Sequence, residues 1–131
     1  MKKLFISVPM KGRTDEAIKA SMEKMHKVAE VMIGEELEVI PSFIEDEPPK
    51  DSREAVWYLG KSIQMLAEAD YMACVTSPYE WNGCEVENLT ARRYGIPMIE
   101  MPIHLVAPDA FEALRLCEKD WEKEVPICSA I

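Results

Sequence analysis

Two glutamates, Glu85 and Glu87, follow the polar, aromatic stretch "TSPYEWNG" at positions 76–83 and open the segment "EVENLTARRYGIP". Just upstream, the apolar run "YMACV" at 71–75 reads as a central strand. A carboxylate on the helix after such a strand can serve in two ways. It can stabilise the helix start, where the macrodipole favours negative charge by about 0.3–1 kcal/mol. It can instead reach into a ligand crevice, where an ionised carboxylate attacks an electrophilic carbon or stabilises positive charge on it. Positions 85 and 87 lie about 200° apart on a helix of about 3.6 residues per turn, so only one of them can face that crevice.

Other side chains with chemical potential are scattered. Tyr79 and Trp81 offer flat faces on which a base could stack, worth about 1–3 kcal/mol per base, and equally suit a loop packed on a neighbouring subunit. Glu45 and Asp46 follow the second strand; Asp46 is a candidate general acid, although a charged run after a strand also suits a solvated loop. His104 lies beyond the fourth strand and His26 on the first helix, remote from the crevice. The four cysteines, Cys74, Cys84, Cys117 and Cys128, form no C-x-x-C pair or short metal spacing, so no metal and no cofactor is expected. Buried, reduced thiols fit a cytoplasmic protein.

The elements that position these residues alternate. "KLFISV" at 3–8 is a buried first strand, and Gly12, Arg13 and Thr14 then turn the chain into a helix over 14–33 that Gly34 stops. "LEVIP" at 37–41 is a short second strand, followed by "IEDEPPKDSR", a charged, proline-bearing loop of the kind that forms lids. A second helix covers 53–68, the third strand 71–75, a third helix about 84–94, and "IPMIEM" at 96–101 the fourth strand. A final helix is expected over 109–123, and "VPIC" as a short edge strand or tail.

This alternation predicts a three-layer, flavodoxin-type α/β fold with a Rossmann-like parallel sheet of four or five strands, ordered 2-1-3-4 with a fifth element at the C-terminus. Ligands of such sheets bind beyond the carboxyl ends of the strands, which groups residues 7–13, 41–50, 76–83 and 101–105.

The chain has 131 residues, 48% of them hydrophobic, enough for one domain with its own core. Its formal charge of −9 argues against a nucleic-acid polymer, whose phosphates need a basic surface. A small phosphorylated ligand needs only one local cation and a few amides. No run of about 18 apolar residues is present, so no membrane span is expected, and the N-terminal apolar stretch is too short for a secretory signal.

The segment "GCEVENLTARRYGIP" resembles the pattern G-x-x-x-E-x-x-x-A-x-x-x-G-x-P of nucleoside 2-deoxyribosyltransferases and their nucleotide N-glycosidase relatives, with Gly83, Glu87, Ala91, Gly95 and Pro97 in register. "LGKSIQMLAEADYMACV" and "KLFISVPMKGR" extend the resemblance over about residues 3–101, and the small phage and bacterial members with an "I-S-x-P-M-x-G"-like opening are the most similar. The resemblance implies Glu87 as the catalytic nucleophile in cleavage or transfer at an N-glycosidic bond. It also implies a substrate lined by Ser7, Met10, Gly12 and Arg13 of the first loop, by Tyr79, Trp81, Asn82 and Gly83 of the third, and by Ser62. A homodimer or higher assembly completes the crevice in that family.

Several positions depart from the family pattern. Ser62 stands where many relatives carry an acid that protonates the leaving base, and a serine cannot act as an acid near neutral pH. Val8, Met10 and Lys11 replace the serine, arginine and glycine of the monophosphate-cleaving branch, and Trp81 replaces a small polar residue. Two alternatives therefore stand beside the enzyme: a module that binds a nucleotide without turnover, and a glycohydrolase acting on NAD-like nucleotides.

Overall fold

A computed structural model of the chain describes residues 1–41, 44–76 and 82–110. Within them the chain forms β1 (Lys2–Ile6), α1 (Asp15–Ile33), β2 (Leu37–Val39), α2 (Glu54–Leu66), β3 (Tyr71–Thr76), α3 (Asn82–Arg93), β4 (Met98–Pro102) and α4 (Ile103–Val106). The strands make one parallel sheet in the order β2-β1-β3-β4, the order the sequence predicts. Each pair is parallel because a helix returns the chain to the same edge before the next strand begins.

Side-chain alternation along the strands divides the core between two faces. Leu4, Ile6, Ala73, Val75, Ile99 and Met101 point one way and pack with Met25 and Ala29 of α1 and Ile103 and Val106 of α4. Phe5, Met72 and Cys74 point the other way and pack with Leu66 of α2 and Ala91 of α3, with Ile63 and Met98 at the margin. Helices thus cover both sides, which is why the strands read as nearly continuous apolar runs. Leu4, Met25, Leu66 and Met72 are fully buried, and truncating any one to alanine costs about 2–5 kcal/mol.

Helix α1 is delimited as its sequence dictates. Thr14 is its N-cap, with Oγ1 accepting from the Ala17 backbone N–H at 3.1 Å, and Asp15 and Glu16 occupy the first turn. Gly34 ends it at φ 84°, a left-handed backbone conformation that is strained for residues bearing a Cβ, and donates its N–H to Glu30 O. Glu30 also accepts the Leu37 N–H at 2.9 Å, and His26 Nε2 lies 2.8 Å from Leu37 O, so α1 side chains pin the start of β2.

Three boundaries differ from expectation in informative ways. Strand β1 ends at Ile6, two residues early, although Ser7 N still donates to Ala73 O at 2.8 Å and keeps the segment on the sheet. Helix α3 begins at Asn82, two residues early, which moves Glu87 into its second turn and leaves Glu85 as the acidic residue of the first. Residues 103–106, expected as loop, form the single turn α4, too short to leave a periodic signal. The final helix and the "VPIC" element fall almost entirely outside the described residues, as do Tyr79 and Trp81. Among the described residues no helix is long and apolar enough to cross a membrane.

Candidate functional site at the carboxyl edge of the sheet

Parallel strands bring their C-terminal ends to one edge, and the two central strands, β1 and β3, are adjacent there. Ser7 follows β1 directly. By strand alternation it shares the face of Phe5, the side that α2 and α3 cover, and its hydroxyl is therefore directed at α3. There the Ser7 Oγ donates to Glu87 Oε1 at 2.7 Å, and both residues are buried, Ser7 at 1% and Glu87 at 8% exposure. Glu85, on the other side of the helix, is exposed. The helical geometry thus resolves the two glutamates: Glu87 faces inward beside the ends of the central strands, and Glu85 outward.

Burial disfavours the charged form of a carboxylate, and Glu87 has its pKa pushed up to about 7 by desolvation; the Ser7 hydroxyl, which bonds the ionised form, works against that rise. The macrodipole does not account for this residue, because its effect fades beyond the first turn. A carboxylate that changes charge near neutrality and is held by one oriented donor can act as a nucleophile when ionised or exchange a proton when neutral. Cys84, one turn earlier on α3, is buried among Ser7 and Glu87, and its thiol is pushed up to about 12, chiefly by burial. It is a thiol and not a thiolate at neutral pH, so it offers packing without nucleophilicity.

The Asn88 side-chain oxygen, next in sequence to Glu87, is buried and accepts no hydrogen bond from the described residues. No pattern in the sequence marks Asn88, and sequence reasoning missed it.

The first loop is tightly organised. Gly12 takes φ 75°, and Arg13 N donates to Met10 O at 3.1 Å, closing the turn into α1. Met10 is exposed at the rim, with Lys11 beside it. The Arg13 side chain is only 3% exposed and its guanidinium is directed at five protein acceptors. Two are the Asp109 carboxylate oxygens, reached in a fork by Nε at 2.8 Å and Nη2 at 2.7 Å; the others are Pro9 O, Ala17 O and Ser21 Oγ. This guanidinium holds the Asp109 carboxyl below its ordinary pKa.

No family model, no curated protein and no solved structure matches this chain.

The remaining residues expected around a substrate take varied positions. Ser62 is half-buried on α2, and Gly83 is exposed in the first turn of α3 with open space where a Cβ would stand. Asn82 begins α3, at the C-terminal side of β3. Asp46 is largely exposed and forms an ion pair of 3.4 Å with Lys61 of α2, whose ammonium also lies 5.2 Å from the centre of the Trp57 ring. That contact anchors the charged loop to α2 and leaves Asp46 in solvent. His104 sits in α4. Among the described residues no group of three or more His, Cys, Asp or Glu could hold a metal ion.

Proposed function

We propose that the protein cleaves or transfers at the N-glycosidic bond of a nucleoside or deoxynucleoside 5′-monophosphate, with Glu87 as the nucleophile. The observation that carries this reading is the buried Glu87 carboxylate, held by Ser7 at the carboxyl edge between β1 and β3. The in-register Gly83, Glu87, Ala91, Gly95 and Pro97 supply the substrate class by resemblance.

In this reading an ionised Glu87 oxygen attacks the anomeric carbon. The carbon–nitrogen bond breaks, and the base leaves with the electron pair and gains a proton. The resulting glycosyl ester is resolved by water, which loses a proton to solvent and gives the sugar, or its 5′-phosphate, with the carboxylate restored, or by a second base, giving transfer. The positive charge that develops on the sugar is stabilised by the same carboxylate, and Ser7 limits its rotation so that less orientation is lost in the transition state. A homodimer or higher assembly belongs to the same proposal, and exposed apolar side chains on α2 and α3, among them Val56 and Leu89, are compatible with a partner surface.

Incubating the purified protein with the common nucleosides, nucleotides and NAD, and following free base or nicotinamide by chromatography, tests the reading. Release that is lost in Glu87→Ala supports it, and release undiminished in that variant removes it.

One observation favours a second reading, a module that binds a nucleotide without turnover. Ser62 cannot donate as an acid, and Asp46 is solvent-exposed and paired with Lys61. Tight binding by calorimetry with intact ligand after long incubation selects this alternative.

A further inference from the structure

Arg13 is the most thoroughly engaged cation of the described residues and stands in the loop that follows β1. Its location beside the start of α1 suits an anion ligand, yet its surroundings are those of a built-in brace. The side chain is 3% exposed, its fork meets both oxygens of Asp109, and Nη1 donates to Pro9 O at 2.9 Å. The α1 start is likewise furnished from within, by the Thr14 cap and by the carboxylates of Asp15 and Glu16, which oppose a second anion there.

The bond to Pro9 O connects this brace to the site. Pro9 is fully buried and lies two residues from Ser7. The segment Ser7–Pro9 is thus fixed at one end by the Ser7 N–H on Ala73 O and at the other by the Arg13 guanidinium, with the Ser7 hydroxyl bonded to Glu87 between these anchors. Asp109, just past α4, orients the guanidinium and ties the segment to the chain beyond β4. We propose that Arg13 and Asp109 form a clamp that sets Ser7 against Glu87, which makes Arg13 a positioning residue of the site and not a ligand for an anionic substrate. This rests on the N-glycosidic reading for its kinetic consequences, though not for the geometry itself.

The test uses the full chain and two variants. Arg13→Lys keeps the charge but cannot reproduce the fork, and Asp109→Asn removes the charge of a half-exposed partner with little change of shape. Circular dichroism and melting establish that each is folded. With a nucleoside and its 5′-monophosphate as paired substrates, the clamp predicts that kcat falls about ten- to a hundredfold for both while KM changes little, as expected for a misplaced reacting group. Unchanged kcat with KM raised for the monophosphate alone would show Arg13 to be a phosphate ligand and overturn the proposal. Unchanged kinetics for both substrates overturn it too.

If neither substrate releases base, the N-glycosidic reading fails and a second readout decides the clamp. Carbon-13 NMR of labelled glutamate, with Glu87 assigned through Glu87→Gln, follows the Glu87 carboxyl titration in the parent chain and in Asp109→Asn. Among the described residues the groups that face Glu87 are Ser7 at the end of β1 and Cys84 on α3, and neither is altered in the variant. A displaced Glu87 midpoint supports the clamp, and coincident titrations overturn it.

Discussion

The Ser7 Oγ and Glu87 Oε1 atoms lie 2.7 Å apart, joining the end of β1 to the second turn of α3 across 80 residues of sequence. The contact exists because two periodicities agree. Position 7 continues the strand alternation that points Phe5 at α3, and position 87 falls on the inward side of a helix whose residue 85 faces out. A single buried hydrogen bond thus ties together the elements that β1 and β3 place side by side, and its acceptor is the one buried carboxylate among the described residues.

Burial of Glu87 makes folding stability depend on pH. Its folded pKa is raised from 4.5 to about 7, so the native state holds the proton more tightly than the unfolded chain. The stabilising contribution is complete below about pH 4.5 and is lost as pH rises to about 7, a decline on the order of 3 kcal/mol. Urea unfolding at pH 5 and pH 8 measures it. Glu87→Gln, which carries no titrating proton, is expected to flatten that slope.

The caps of α1 carry a separate stability prediction. Thr14→Ala removes the acceptor of the Ala17 N–H and is expected to cost about 1 kcal/mol. Gly34→Ala places a Cβ at φ 84° and is expected to destabilise the chain by about 1 kcal/mol, with no neighbouring atom to clash with. Thermal melts of the single and double variants check both. The sites lie at opposite ends of a 19-residue helix, so the two losses should add.

Why some of this was legible in sequence and some not follows from the range of the signals. Four strands and three long helices leave local periodicity, and their alternation implies a parallel sheet and its order; Gly34 and Thr14 mark ends because a turn conformation or a cap demands those residue types. Periodicity left a choice between 85 and 87 that needs the helix phase relative to the sheet; only the family resemblance pointed to Glu87 in the sequence. The Ser7–Glu87 bond and the Arg13–Asp109 fork join residues 80 and 96 positions apart, and no local pattern encodes such pairs. Arg13 matched a substrate loop by position in the chain, whereas its partner was decided by where the chain beyond β4 returns.

Two cysteines offer a direct test of core packing. Cys74 and Cys84 are free and buried, and both thiols are pushed up to about 12, chiefly by desolvation. The thiolate is the reacting species, so neither should be alkylated by iodoacetamide at pH 8 in the native protein. Peptide mapping by mass spectrometry should find both unmodified before denaturation and both alkylated after it. Rapid native labelling of Cys84 would contradict the closed packing beside Glu87.

Ser7→Ala separates positioning from packing at the site. The Ser7 hydroxyl lowers the Glu87 pKa against the larger rise from burial, so its removal is expected to move the ionisation of Glu87 to higher pH. If Glu87 reacts as a carboxylate, the rate of base release rises with pH to a plateau, and in Ser7→Ala the rising limb shifts alkaline while the plateau falls about tenfold or more through lost orientation. Ser7→Thr retains a hydroxyl donor and should restore the position of the limb at least in part. A pH–rate profile measured on all three proteins checks the ordering; a limb that stays in place when the hydroxyl is removed would show that this contact does not govern the charge of Glu87.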